Sequence, residues 1–211
     1  MSDDHTDVQT ARRDQAIHEV QEFFTERAAD WDSRFPDDGP AYAAAVADMG
    51  LRPGGAVLDA GCGTGRALPA LREAVGPSGT VVGLDVTPAM LAAAVRAGRD
   101  GSGRLLLGDV GRLPLRDGAL DGVFGAGLVS HLGQPAEGLR ELARVVRPGG
   151  RLALFHPVGR AALAARHGRP VTDDDLRAEP RLRPLLAASG WRMISYEDVD
   201  ARFLVLADRE D

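Results

Sequence analysis

Three aspartates set the chemistry that this sequence can do. Asp59, Asp85 and Asp109 each follow an apolar run, Ala56-Val57-Leu58, Val81-Val82-Gly83-Leu84 and Leu105-Leu106-Leu107-Gly108, so each stands where a buried strand would deliver a carboxylate at its carboxyl end. Between the first two comes Gly61-Cys62-Gly63-Thr64-Gly65. Alternating glycines reach positive φ in a tight turn and let a ligand approach the backbone, while the N–H groups opening the next helix face an anionic group. Asp85 lies 24 residues after Gly61, close to the roughly 20 that separate a glycine loop from an acid on a ribose diol. A carboxylate suits that task because it accepts two hydrogen bonds from adjacent hydroxyls. The dinucleotide pattern G-x-G-x-x-G fails: counted from Gly61 its third glycine falls on Arg66, and counted from Gly63 on Leu68.

Two histidines stand at comparable positions. His131 follows a strand centred on Gly122-Val123-Phe124 and the segment Gly125-Ala126-Gly127, whose glycines let a ligand lie close to the strand's end; His156 ends the run Leu152-Ala153-Leu154-Phe155. A neutral imidazole near pH 7 can take a proton from a nucleophile, typically worth about 10²- to 10⁴-fold. For His131 the roles of base, substrate orienter and packing all stay open; for His156 a turn role competes, because Pro157 follows it. His5, His18 and His167 have no such placement, and Glu19 and Glu22 are further candidate bases on a helix that would more simply expose them.

The elements that must position these groups alternate. Ile17, Val20, Phe24, Ala28 and Trp31 make one helical stripe after a polar start, residues 1–12, that is expected to be mobile; Phe35-Pro36-Asp37-Asp38-Gly39-Pro40 is a turn; Tyr42, Ala45, Val46 and Met49 share a helix face. Leu68, Leu71 and Val75 follow the glycine loop, with Pro69 tolerable near the first turn, and Thr87-Pro88 reads as an N-cap with proline at the first helical position. Leu105-Leu106-Leu107 reads as a third buried strand. A helix from Pro135 carries Leu139, Leu142, Val145 and Val146. Trp191–Tyr196 and Arg202–Leu206 leave no room for a crossover and must be antiparallel neighbours. Between residues 158 and 190 lie Arg160, Arg166, His167, Arg169, Arg177, Arg181 and Arg183. Thr172 with Asp173-Asp174-Asp175 reads as a helix start, and the arginines read as a solvated helical face in preference to a grip on an anionic substrate.

Composition bounds the partners. The chain has 211 residues, a formal charge of −6 and no lysine, all 25 basic residues being arginine. An acidic total disfavours a broad nucleic-acid footprint and favours a small-molecule substrate. Without lysine there is no Schiff base and no phosphate-loop cation of that type. The single cysteine, Cys62, forms no intrachain disulfide and reads as a small residue in a crowded turn; no Cys/His spacing suits zinc, so no metal is expected. No apolar run spans a bilayer and no leader is apparent, so a cytoplasmic protein is expected.

The pattern D-x-G-x-G-x-G at Asp59–Gly65, with Leu84-Asp85, Gly108-Asp109 and Arg147-Pro148-Gly149-Gly150 in order behind it, resembles the class I methyltransferases that use S-adenosylmethionine, and among them the small-molecule type similar to the ubiquinone/menaquinone-biosynthesis methyltransferases. The resemblance implies an α/β, Rossmann-like, doubly wound sheet of seven mainly parallel strands, the last antiparallel, with helices on both faces. It implies one domain: a helical cap over residues 1–50, a cofactor core over 51–157, a lid-like helical insertion over 158–190 and a strand pair over 191–211. It implies S-adenosylmethionine held by Asp59, Gly61, Cys62, Gly63, Gly65, Asp85, Val86, Met90, Gly108, Asp109, Val110, Ala126 and Gly127. In that scheme Asp85 meets the ribose, Asp109 the adenine amino group and the Val110 N–H the ring, a histidine such as His131 stands on the substrate side, and an N-terminal helix across the cofactor mouth makes Trp31, Phe35 and Tyr42 candidates for that side. A protein of the same fold that keeps the ligand without transferring methyl, as a cyclase-type catalyst or a binding module, is the alternative.

Overall fold

The computed structural model describes residues 3–34 and 38–211, with side chains from Arg13 onward. Of the turn expected over Phe35–Pro40, residues 35–37 lie outside the described residues, as does the side chain of His5, and Gly39-Pro40 open a helix instead, where proline's missing N–H costs no helical bond. One sheet contains β1 (Ala56–Ala60), β2 (Thr80–Asp85), β3 (Arg104–Leu107), β4 (Leu120–Ala126), β5 (Val146–His156), β6 (Trp191–Val199) and β7 (Arg202–Arg209), in the order β3-β2-β1-β4-β5-β7-β6. The pairings from β3 through to β5 are parallel, and β7 runs antiparallel to both its neighbours. The strand order reverses between β1 and β4, and open sheets of this kind bind ligands at the carboxyl ends of the strands beside such a point.

Strand alternation sorts the core onto two faces. Leu58, Val123, Leu152 and Leu154 face one apolar cluster with Leu139, Leu142 and Trp191. Their neighbours Val57, Phe124, Ala153 and Phe155 face the other, with Leu68, Leu71 and Val75. The helices that cover these faces are α3 (Gly39–Asp48), α4 (Leu68–Val75), α5 (Pro88–Arg96), α6 (Pro135–Val145) and α8 (Glu179–Ala187). Pro69 lies in the first turn of α4, where its missing N–H costs no helical bond.

Several expectations are corrected. The helical stripe breaks: α1 (Asp3–Thr25) takes in the polar start and ends before Ala28, and α2 (Trp31–Arg34) follows a turn that sets the Trp31 ring edge-on to Phe24 at 5.5 Å. Strand β3 is an edge strand rather than a buried one, with Leu107 57% exposed. Arg147-Pro148-Gly149-Gly150 opens β5, whose register against β4 shifts there. No helix starts at Thr172. Instead α7 (Arg160–Arg166) lies upstream, α8 begins at Glu179, and the Thr172–Asp175 acids serve a different end described below. At the expected N-cap Thr87 the side chain makes no capping bond, and its backbone N–H donates to Asp85 Oδ1 at 2.8 Å.

Candidate active site

The carboxyl ends of β1, β2, β4 and β5 open into one cavity of about 1160 Å³. Its floor is the turn after β1. Gly61 and Gly63 take φ of 66° and 54°, a region only glycine enters freely, and a Cβ on Gly63 would meet no atom within 4 Å, so that position faces open space. The Gly63 N–H donates to Asp85 Oδ2 at 2.8 Å. Asp85 therefore clamps the turn with one oxygen and the Thr87 N–H with the other, leaving one lone pair on each oxygen for a ligand. Burial raises its pKa against those stabilising bonds.

Asp59 has no such compensation. It is 1% exposed, lines the cavity, and neither carboxylate oxygen has a hydrogen-bond partner. Burial first, and the Asp85 charge second, push its pKa up to about 8. A buried carboxylate without partners is costly unless a cation or donor comes to it. Asp109 is differently placed. Its Oδ1 accepts from the Gly111 N–H at 2.8 Å, and its Oδ2 accepts from Arg13 Nε at 2.7 Å, with Arg13 Nη2 also in contact. Gln21 Nε2 donates to the Val86 carbonyl at 2.8 Å, so α1 is tied across this end of the cavity at two points.

Cys62, Val86, Met90, Gly108, Val110, Ala126 and Gly127 line the same cavity. Gly65 does not: with φ of 77° and Leu68 Cδ1 2.9 Å from where its Cβ would be, it serves the packing of the turn against α4. The Cys62 thiol is buried, and burial raises its pKa well above the usual value, so it stays protonated.

The inner half of the cavity carries rings and arginines. His131, in a 3-10 turn over Val129–His131, packs edge-on to Phe24 at 5.0 Å and near Phe23 at 6.2 Å. Desolvation between these rings, then the Arg177 guanidinium, lowers its pKa. His156 Nδ1 lies 2.8 Å from the Val158 carbonyl and 3.1 Å from its N–H. The shorter contact puts the proton on Nδ1 and leaves Nε2 as acceptor. Burial lowers the pKa of His156, and Arg177 and Arg166 add to the effect. Both rings are therefore neutral near pH 7. Tyr42 and Trp31 also line the cavity, Tyr42 edge-on to Phe155 at 5.0 Å, and burial holds its phenol protonated.

Glu19 and Glu22 are not in the lining. Glu19 accepts from Gln15 at 2.8 Å and Glu22 pairs with His18 at 3.2 Å. The arginines of the 158–190 stretch correct the sequence reading more deeply. Arg160, Arg166, Arg169 and Arg177 line the cavity, and so does His167, which the sequence left unplaced. Arg181 and Arg183, both exposed on α8 and outside the lining, are the ones that behave as a solvated helical face, Arg183 pairing with Glu179. For Arg160 and Arg177 the signal was the acid run: Asp175 accepts from both, and the Thr172 carbonyl accepts from Arg160. Among the described residues there is no group of three or more metal-ligating side chains, and no helix is long and apolar enough to cross a membrane.

Comparison with known proteins places this geometry. The family model described as a methyltransferase domain matches residues 58–154. The chain is 39% identical over 123 residues to an uncharacterised 37.1 kDa transposon protein of Streptomyces fradiae, covering 57% of this chain and 36% of that one. It is 39% identical over 109 residues to demethylmenaquinone methyltransferase of Staphylococcus aureus, covering 49% and 43%. The chain thus spans less than half the length of these two relatives. Among solved structures, an S-adenosylmethionine-dependent methyltransferase from Aquifex aeolicus superposes with a TM-score of 0.65 at 27% identity, covering 79% of this chain and 88% of that one.

Proposed function

Because the chain carries a class I S-adenosylmethionine-dependent methyltransferase domain, we propose that it transfers the methyl group of this cofactor to a small-molecule acceptor bound in the inner half of the same cavity. The observation that carries the reading is Asp59, a buried carboxylate with no partner at the wall of the cavity. The donor set fits the cofactor. Asp59 meets an ammonium, the remaining lone pairs of Asp85 meet the ribose hydroxyls, Asp109 with the Val110 N–H meets the adenine edge, and the open face of Gly63 admits the backbone approach. When bound, S-adenosylmethionine supplies a methyl group on a positive sulfur, reactive without a metal.

The chain's own residues then have three tasks. Holding a nucleophile in line contributes up to about 7 to 11 kcal/mol of barrier lowering, and the aromatic wall of Phe24, Trp31 and His131 provides that confinement. Where the nucleophile carries a proton, His156 Nε2 is the acceptor, since the Val158 carbonyl fixes its tautomer. Helix α1, tied down through Arg13 and Gln21, keeps bulk water from the cofactor end.

The test is calorimetric titration of the protein with S-adenosylmethionine and S-adenosylhomocysteine, repeated on Asp85→Asn, followed by an acceptor screen read as S-adenosylhomocysteine formation. One-site binding, weakened about tenfold or more in the variant, with turnover on an acceptor is the expected result. A folded protein that binds neither ligand would overturn the reading. Tight binding with no methylated product from any acceptor would favour the non-methylating alternative.

A further inference from the structure

The charges of the cavity are divided. The strand-end acids Asp59, Asp85 and Asp109 line it with Arg13 and, beside the glycine turn, Arg66 paired with Asp38; along the 158–177 segment stand Arg160, Arg166, Arg169 and Arg177 with one lining acid, Asp175. In a chain with 31 acids and a net charge of −6, an unneutralised cationic wall calls for a reason. Arg160 is accounted for: 8% exposed, it is held by Asp175, Asp198 and the Thr172 carbonyl, and it orders the segment. Arg177 is held from one side, its Nε and Nη2 forked onto Asp175, an acid already shared with Arg160. It lines the cavity with His131 and His156, and its positive field reaches both rings. Arg166, whose field also reaches His156, and Arg169 have no hydrogen bond or ion pair with any described residue. The same cavity is lined by the rings of Phe23, Phe24, Trp31 and His131, whose neighbouring centroids lie 5.0 to 6.2 Å apart.

We propose that the acceptor is an aromatic carboxylate, its ring against Phe24, Trp31 and His131 and its carboxylate on Arg177 and Arg166. Guanidiniums present paired N–H donors that match a carboxylate's two oxygens, and an anion here supplies the charge that Asp175 alone does not. The histidines, neutral beside Arg177, add no charge and stay available to the nucleophile. The inference rests on the methyl-transfer reading only for calling this ligand the acceptor; the anion site itself stands on the residues.

Tryptophan fluorescence reads the site directly. Of the two tryptophans, Trp31 lines the cavity, while Trp191 is fully buried with Nε1 donating to the Leu139 carbonyl at 2.9 Å. Benzoate and its neutral counterpart benzamide are titrated into the protein with and without saturating S-adenosylhomocysteine, whose occupancy is measured separately by calorimetry. The expected result is saturable quenching by benzoate, at least about tenfold tighter than by benzamide, with most of that preference lost in Arg177→Gln. Because Arg177 also holds Asp175, Arg166→Ala is the companion variant. Arg166 is exposed and unpaired, so this protein folds, and it loses at least about threefold of the preference. Equal affinity for the two probes, binding of neither, or a preference unmoved in Arg166→Ala and in folded Arg177→Gln would overturn the proposal. Benzoate preference without any S-adenosylhomocysteine binding would overturn the methyl-transfer reading and leave the anion site standing.

Discussion

Asp59 links binding to stability through a single proton. Its ordinary pKa of 3.8 rises to about 8 in the folded protein. Below about pH 4 the carboxyl is protonated folded or unfolded; between pH 4 and 8 the unfolded chain releases the proton and the folded one keeps it. Stability of the unliganded protein therefore falls as pH rises across this window, by about 1.4 kcal/mol per unit for one fully linked proton. Asn at this position keeps the shape and removes the titration. Relative to wild type, Asp59→Asn should gain about 2 kcal/mol or more between pH 5 and pH 8 in urea unfolding, while its affinity for S-adenosylmethionine drops. Parallel pH profiles for the two proteins would show that Asp59 is not a buried neutral acid. The same residue was legible in the sequence as the acid closing an apolar run. Its lack of a partner was not, because only the packed neighbourhood shows which donors fail to reach it.

At the scale of the element, the turn after β1 divides its glycines between two jobs. Gly65 takes φ of 77° with Leu68 Cδ1 2.9 Å from where a methyl would sit, whereas Gly63 takes φ of 54° and faces open space. A left-handed non-glycine residue costs about 1 to 2 kcal/mol. Gly65→Ala should incur that and a steric penalty besides, losing about 2 to 4 kcal/mol of stability, with cofactor affinity retained in the folded fraction. Gly63→Ala should lose only the conformational part yet bind S-adenosylhomocysteine at least about tenfold more weakly, since its methyl enters the cavity. Denaturation curves beside calorimetry check the split, and equal effects on both readouts for both variants would sink it. Sequence spacing found the turn but treated its glycines alike, because positive φ is common to both and the neighbour Leu68 is not visible in a motif. The triple leucine before Gly108 misled in a related way. An apolar run looks the same at the edge of a sheet as at its centre, and β3 has β2 on one side only. The Thr172–Asp175 acids likewise look like a helix start until Arg160 and Arg177 are seen to need them.

Across the whole molecule, a mainly parallel sheet with both faces covered followed from alternating apolar runs and helical stripes, and its seven strands from the family resemblance, while the strand order and the cavity's second wall did not follow. That wall is assembled from α1, α2 and the 158–177 segment, parts far apart in sequence, and is tied to the body of the fold by contacts such as Thr64 Oγ1 to Asp32 at 2.7 Å and Arg99 Nη1 to Asp32 at 2.6 Å. Such long-range polar contacts leave no periodic trace. They also make the cover less cooperative than the sheet, since elements held by a few exposed bonds open more readily than buried strands. Hydrogen exchange should therefore slow in α1, from Arg13 to Thr25, when S-adenosylhomocysteine binds, with β4 and β5 unchanged because they are already protected. Unchanged or faster exchange in α1 would mean that the helix does not close over the ligand.

The insertion of β7 between β5 and β6 has a consequence for the order in which the protein is made. During synthesis β5 emerges with one edge against β4 and the other bare, and nothing upstream can satisfy that edge. Strand β6 arrives next but pairs only with β7, so the polar backbone groups on the outer edge of Arg151–His156 wait until residues 202–209 leave the ribosome. Until then the nascent chain presents an unpaired apolar strand, Leu152-Ala153-Leu154-Phe155, to anything that can add to it. The burden of keeping this protein soluble falls on the cell in that interval, after the cofactor turn has formed and before the sheet is sealed.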